Sequence, residues 1–147
     1  MSEQQKRYWV GVASRDHVMS AIELGVAQFC HGKVAPARRL RKGDWLIYYS
    51  PKVTMGGVEL CQKFTAIGTV DDETPYQVDM GSGFKPFRRN IKYLDALPTD
   101  IRPLIDELPF IKNKKSWGFI FRYGLIAIDT ESFQAIARAM LPEEILL

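Results

Sequence analysis

Apolar and polar positions change rhythm several times along this chain, and each rhythm predicts an element. Tyr8 to Ala13, YWVGVA, is a short aromatic and β-branched run that reads as a buried strand. Ser14 then takes the place of a helix N-cap, Asp16 suits the first turn, and Gly25 stands where a left-handed terminal residue is wanted. Val18, Ile22 and Met19 fall at the spacing of that helix's buried face. RKGD at Arg41–Asp44 is a tight turn that launches WLIYYSP, a strand with Trp45, Ile47 and Tyr49 on one face and Leu46 and Tyr48 on the other, ended by Pro51. Gly56 and Gly57 mark a hairpin tip before a third strand, Leu60 to Val70, bent at Gly68.

Further strand material lies at Tyr76 to Met80 and Phe84 to Leu94, where the basic residues Lys85, Arg88, Arg89 and Lys92 interrupt the apolar pattern. Arg102 to Leu108 reads as a short helix with Pro103 in its first turn. A polar turn around Asn113 precedes apolar residues suited to a strand or to the support of a pocket. Asp129 or Thr130 caps a terminal helix with the stripe Phe133, Ile136, Ala137 and Met140. No internal repeat or linker interrupts this order, which predicts one α+β domain over 1–147, with its core at about 8–141 and helices packed on a curved, mostly antiparallel sheet or barrel.

Composition narrows the chemistry. The 147 residues are 46% hydrophobic and 25% charged, the range of a soluble globular domain. Cys30 and Cys61 stand far apart, and with only His17 and His31 beside them no metal site is expected. A polar start at Met1 to Arg7 and unpaired cysteines point to the cytoplasm. No apolar run approaches the ~20 residues that a bilayer span requires. The net charge of +3 permits a polyanionic partner without demanding one. Its distribution says more: His31 to Lys52 holds six Lys or Arg against Asp44 alone, and Lys85 to Arg122 nine against four acids. From Asp129 onward the chain is acidic.

The segments YWVGVAS, LGVAQFCHGK, LRKGDWLIYYSP, FIKNKKSWGFIFRYG and SFQAIARAM, in that order, resemble the EVE domain family over Tyr8 to about Leu141. The resemblance implies a PUA-like fold, a small curved β-barrel flanked by helices and similar to that of the YTH readers of methylated adenine. It also implies recognition of a modified base in nucleic acid, DNA or RNA. A base taken out of its strand needs aromatic walls, polar groups for its edge and cations for the neighbouring phosphates. Phe29 matches the region where the related readers place a cage aromatic, usually Trp, and Trp117 or Phe119 would oppose it. His31, Ser14 and Ser50 are the candidates for the base edge, and Lys33, Arg88, Arg89 and Arg122 for phosphate.

Each has a structural alternative: most aromatics fill cores, Ser14 serves as a helix cap, Ser50 as a strand terminator, and Lys33 as a solvated loop residue. Catalysis has little support, since the chain carries no nucleophile elbow, Walker loop or His-Glu-x-x-His, and no cofactor is expected. Cys30 beside His31 is the one enzymatic pair worth naming, and sequence neighbours on an extended loop point apart. The reading is therefore a non-enzymatic reader domain. A small enzyme acting on nucleotides and a small-metabolite or protein interaction domain are the alternatives.

Overall fold

The computed structural model describes residues 6–142. Strand β1 (Tyr8–Val12) leads into helix α1 (Arg15–Leu24) and a two-residue strand β2 (Val26–Ala27). A single 3-10 turn (Cys30–Gly32) and helix α2 (Val34–Arg39) precede the long hairpin of β3 (Trp45–Lys52) and β4 (Leu60–Val70). Strands β5 (Tyr76–Gln77), β6 (Phe87–Tyr93) and β7 (Thr99–Asp100), 3-10 segments at Arg102–Glu107 and Phe119–Tyr123, strand β8 (Leu125–Ile128) and helix α3 (Thr130–Met140) complete the chain.

The strands run in the order β2-β6-β4-β3-β1-β8, with β5 on β6 and β7 on β4. The result is α+β: a curled mixed sheet forming a half-barrel with few helices. As expected it is mostly antiparallel; among the described pairs β1 alone lies parallel to its neighbour β3, Tyr8 opposite Trp45 and Val12 opposite Tyr49. Two parallel neighbours need a crossover, and α1, β2 and α2 supply it.

Both faces of the sheet are covered, which explains why β3 is apolar on both its faces. Ile47 and Tyr49 join a core with Phe64, Phe121, Phe133 and Ile136, while Leu46 and Tyr48 join another with Trp9, Val18, Phe29 and Leu40. Strand β3 continues through Pro51 to Lys52, past irregular pairing with β4 near Tyr48–Tyr49 and Ser50–Lys52. At Gly68 the carbonyl of Lys92 would sit 2.6 Å from an added Cβ. Glycine there leaves room for the close approach of β6, which pairs with β4 from Gly68 onward.

Helix α1 departs from its expected burial. Val18 is buried, yet Met19 is 57% and Ile22 42% exposed. Gly25 closes the helix at φ 69°, its amide directed to the carbonyls of Ala21 and Ile22. Ser14 holds the N-cap position without capping the backbone: its hydroxyl donates to Asp16 Oδ1, which also accepts from the His17 amide at 2.9 Å.

Helix α3 shows the expected stripe buried, and Asp129 as its cap. Asp129 Oδ2 accepts from the Ser132 amide at 2.9 Å and Oδ1 from the Ser132 hydroxyl at 2.6 Å. Partial burial pushes this carboxyl up, but the two Ser132 bonds, its own backbone amide and the Lys112 charge together hold the group below its ordinary value of 3.8. Since the folded-state value is the lower one, the contribution is complete above the unfolded value and is lost as pH falls through the folded one. Asp129→Ala is expected to cost about 1 kcal/mol at neutral pH, with the difference from the parent shrinking below about pH 4, read by urea denaturation across pH.

Candidate nucleic-acid interface

Residues 17, 20, 21 and 24 share one face of α1 at i, i+3, i+4 and i+7 spacing, and that face lines a cavity of about 700 Å³. His17, Ser20, Ala21 and Leu24 form one wall. The end of β1 (Val12, Ala13), Tyr48 of β3, and Phe121 and Gly124 supply apolar surface, and the turn bearing Cys30 and His31 forms a lip. Met55 from the β3–β4 hairpin and Met80 and Phe84 from the β5–β6 hairpin reach the mouth. Leu24, Met55, Met80 and Phe84 are 61%, 58%, 55% and 45% exposed, so the mouth is rimmed by uncovered apolar side chains. Among the described residues its charged lining consists of Arg88 and Arg122, with both histidines of the chain and no carboxylate.

Several bonds stiffen this site. The Tyr48 hydroxyl donates to the Gln28 carbonyl at 2.9 Å and accepts from the Gln28 amide at 3.3 Å. Burial pushes this phenol far above its ordinary value, against a smaller lowering by the Gln28 backbone, so Tyr48 stays neutral. Gln28 Oε1 in turn accepts from Arg88 Nε at 2.6 Å, and Arg88 Nη2 reaches Met80 Sδ at 3.1 Å. The guanidinium is thus aimed by an amide and not neutralised by an acid.

The turn at the lip is conformationally costly. Cys30 and His31 have φ of 51° and 63°, a region that side chains with a Cβ seldom enter. Gly32 follows at φ 82°, pressed so close to Pro86 that a Cβ would fall 2.2 Å from the proline Cβ. Cys30 Sγ lies 3.8 Å from the Tyr123 carbonyl and forms no hydrogen bond with His31.

Of the residues expected at a site, His31, Arg88 and Arg122 meet at this cavity. Lys33 is exposed next to the lip. Phe29 is a correction: its ring is 1% exposed in the core, stacked on Tyr48 at 6.1 Å, so it backs the wall instead of forming it. Gly11 makes room for that pair, since a Cβ there would lie 3.0 Å from both rings. Trp117 is half-buried away from the cavity lining, packed against the Phe121 core with the Arg102 guanidinium 5.7 Å from its ring. Phe119 is 55% exposed beside the site and stacked with Arg122, not opposite Phe29.

Ser14 and Ser50 are committed elsewhere, Ser50 fully buried with its hydroxyl 2.8 Å from that of Thr65. Arg89 is the other correction. It is 0% exposed, paired with Asp72 at 2.8 Å and donating to the carbonyls of Ala37, Leu40 and Asp72. Sealed inside the fold, its guanidinium has no surface to offer a phosphate.

His17, Gln28, Tyr48, Phe84 and Phe121 line the cavity without having been singled out in the sequence. Phe84 carried a usable signal: an aromatic directly after Gly81-Ser82-Gly83 sits at a hairpin tip, where no core awaits it.

The EVE domain family profile matches residues 7–139. The chain belongs to the EVE domain family. A UPF0310 protein of Streptococcus sanguinis is 53% identical over 134 residues, covering 91% of this chain and 93% of that one. The UPF0310 protein in the gntR 5' region of Bacillus licheniformis is 48% identical over 128 residues, 87% of each chain. Among solved structures, an NMR structure from Rhodopseudomonas palustris aligns with TM-score 0.58 at 15% identity, covering 90% of this chain and 92% of that one. A hypothetical protein from Leishmania major gives 0.61 at 10% identity, covering 91% and 94%. At such identities these two structures support the fold alone.

The EVE family is PUA-like, and such domains are often nucleic-acid binding. In this EVE domain no helix of the described residues is long and apolar enough to cross a membrane. Nor do the described residues gather three His, Cys, Asp or Glu side chains around a metal position.

Proposed function

We infer that this EVE domain is a non-enzymatic reader that takes one modified base of a nucleic acid into the cavity beside α1. The observation that carries the reading is the lining of that cavity: an apolar floor containing Tyr48 and Phe121, a rim that includes Phe84, and Arg88, Arg122, His17 and His31 without any carboxylate among the described residues. A volume of about 700 Å³ lies in the usual range for small-molecule sites and leaves room for more than a bare base. Apolar walls suit a methylated ring, whose added carbon gains by leaving water. Guanidinium groups at the edge suit the phosphates on either side, which position a strand without identifying it. His31 is the candidate for the base edge, and Lys33, just outside the lip, for a further phosphate.

The test is a binding screen over single-stranded DNA and RNA oligonucleotides carrying different methylated bases, run at two salt concentrations. One modification is expected to be preferred over its unmodified counterpart at both salts, while affinity for every oligonucleotide falls as salt rises. Ala21→Phe places a ring in the cavity from a partly exposed helix position and should abolish the preference while leaving salt-dependent binding in place. Equal binding of all bases by the parent protein would defeat the reading.

A further inference from the structure

The Phe119–Tyr123 segment is a 3-10 helix, and in that geometry residues three apart eclipse one another. Arg122 therefore lies directly over Phe119, its guanidinium carbon 3.9 Å from the ring centroid, and also 5.8 Å from the ring of Tyr123. Phe121 turns the other way, 4% exposed and stacked on Tyr49 at 4.2 Å, which fastens the segment to the core. Gly124 closes it against Cys30, where a Cβ would come 2.7 Å from the sulfur. Outside this anchor, Phe119 and Tyr123 are 55% and 62% exposed.

Two large rings and an arginine held on a short rigid segment, with no carboxylate paired to the arginine among the described residues, expose flat π and cationic surface to water. Arg122 also lines the cavity, so this surface is continuous with its mouth. We propose that the Phe119–Arg122–Tyr123 stack is a platform for the nucleotides flanking the base in the cavity, and that it selects single-stranded over duplex nucleic acid. This rests on the reader function above for its ligand, but the platform has its own chemistry. Unpaired bases offer a ring face to aromatic side chains and guanidinium planes, whereas paired bases in a helix hide those faces in their own stack.

The experiment measures fluorescence anisotropy of labelled, unmodified oligothymidylate and oligouridylate of about twelve nucleotides, and of the duplexes each forms with its complement. Phe119→Ala and Tyr123→Ala are each expected to weaken single-strand binding about fivefold or more, with Tyr123→Phe close to the parent and duplex binding unchanged by all three. Both rings are exposed, so neither alanine variant removes core packing, and thermal melts of the variants check folding. The platform is overturned if the alanine variants bind single strands as the parent does, if duplex binding falls in parallel, or if the parent binds neither single strand. Ala21→Phe separates the two readings. Silent ring variants with a lost modified-base preference in Ala21→Phe sink the platform alone, and weakened ring variants in a protein without any modified-base preference sink the reader alone.

Discussion

Arg89→Met is expected to lower the stability of this domain by about 3–5 kcal/mol, which is the usual cost of removing one partner from a buried ion pair. The methionine keeps most of the volume. It leaves the Asp72 carboxylate without its cation and the carbonyls of Ala37 and Leu40 without a donor, at the point where α2 ends over β6. Arg89→Lys should recover little, because one ammonium on a flexible stem cannot reproduce a planar fork serving four acceptors. Urea denaturation reads the effect directly. A variant as stable as the parent would mean that the buried network contributes nothing, and would reopen a surface role for this arginine.

Gly32→Ala should be nearly as damaging, by about 2–5 kcal/mol. Part of the cost is the left-handed backbone at φ 82°, which disfavours any residue with a Cβ. The larger part is contact: the new methyl would meet the Cβ and Cα of Pro86 at 2.2 and 2.7 Å, and a proline at the start of β6 has little freedom to retreat. Relief requires the Cys30–Gly32 turn to move off the hairpin, which carries His31 away from the cavity. Loss of thermal stability together with loss of oligonucleotide binding is the expected pair of results. An unchanged melting temperature would show that the turn is freer than its packing implies.

These two positions also show what the sequence made legible. The hydrophobic rhythm located β1, β3, β4 and α3 nearly to the residue, because each has a run of apolar side chains to bury. The same rhythm held information about Arg89 that its charge obscured. In β6, Phe87, Arg89, Ile91 and Tyr93 share one face and Arg88, Asn90 and Lys92 the other, so parity alone places Arg89 inward and Arg88 outward. Helix α1 misled for the opposite reason: the face of His17, Ser20, Ala21 and Leu24 is shaped for a cavity, and a cavity wall does not follow the apolar pattern of a core. Phe29 could not be placed from the sequence, since a turn flanked by glycine is consistent with a ring pointing either way. Its burial depends on Gly11 and Tyr48, which lie far from it in the chain.

The place of β1 has one more consequence. It lies between β3 and β8, and its second neighbour, Leu125–Ile128, is made long after both β1 and β3. During synthesis the first strand can find β3 early, but its other flank keeps bare amides and carbonyls until β8 has left the ribosome. A message cut short before Leu125 thus yields a polypeptide in which β1 is an unpaired edge of the sheet, a template for pairing with other chains.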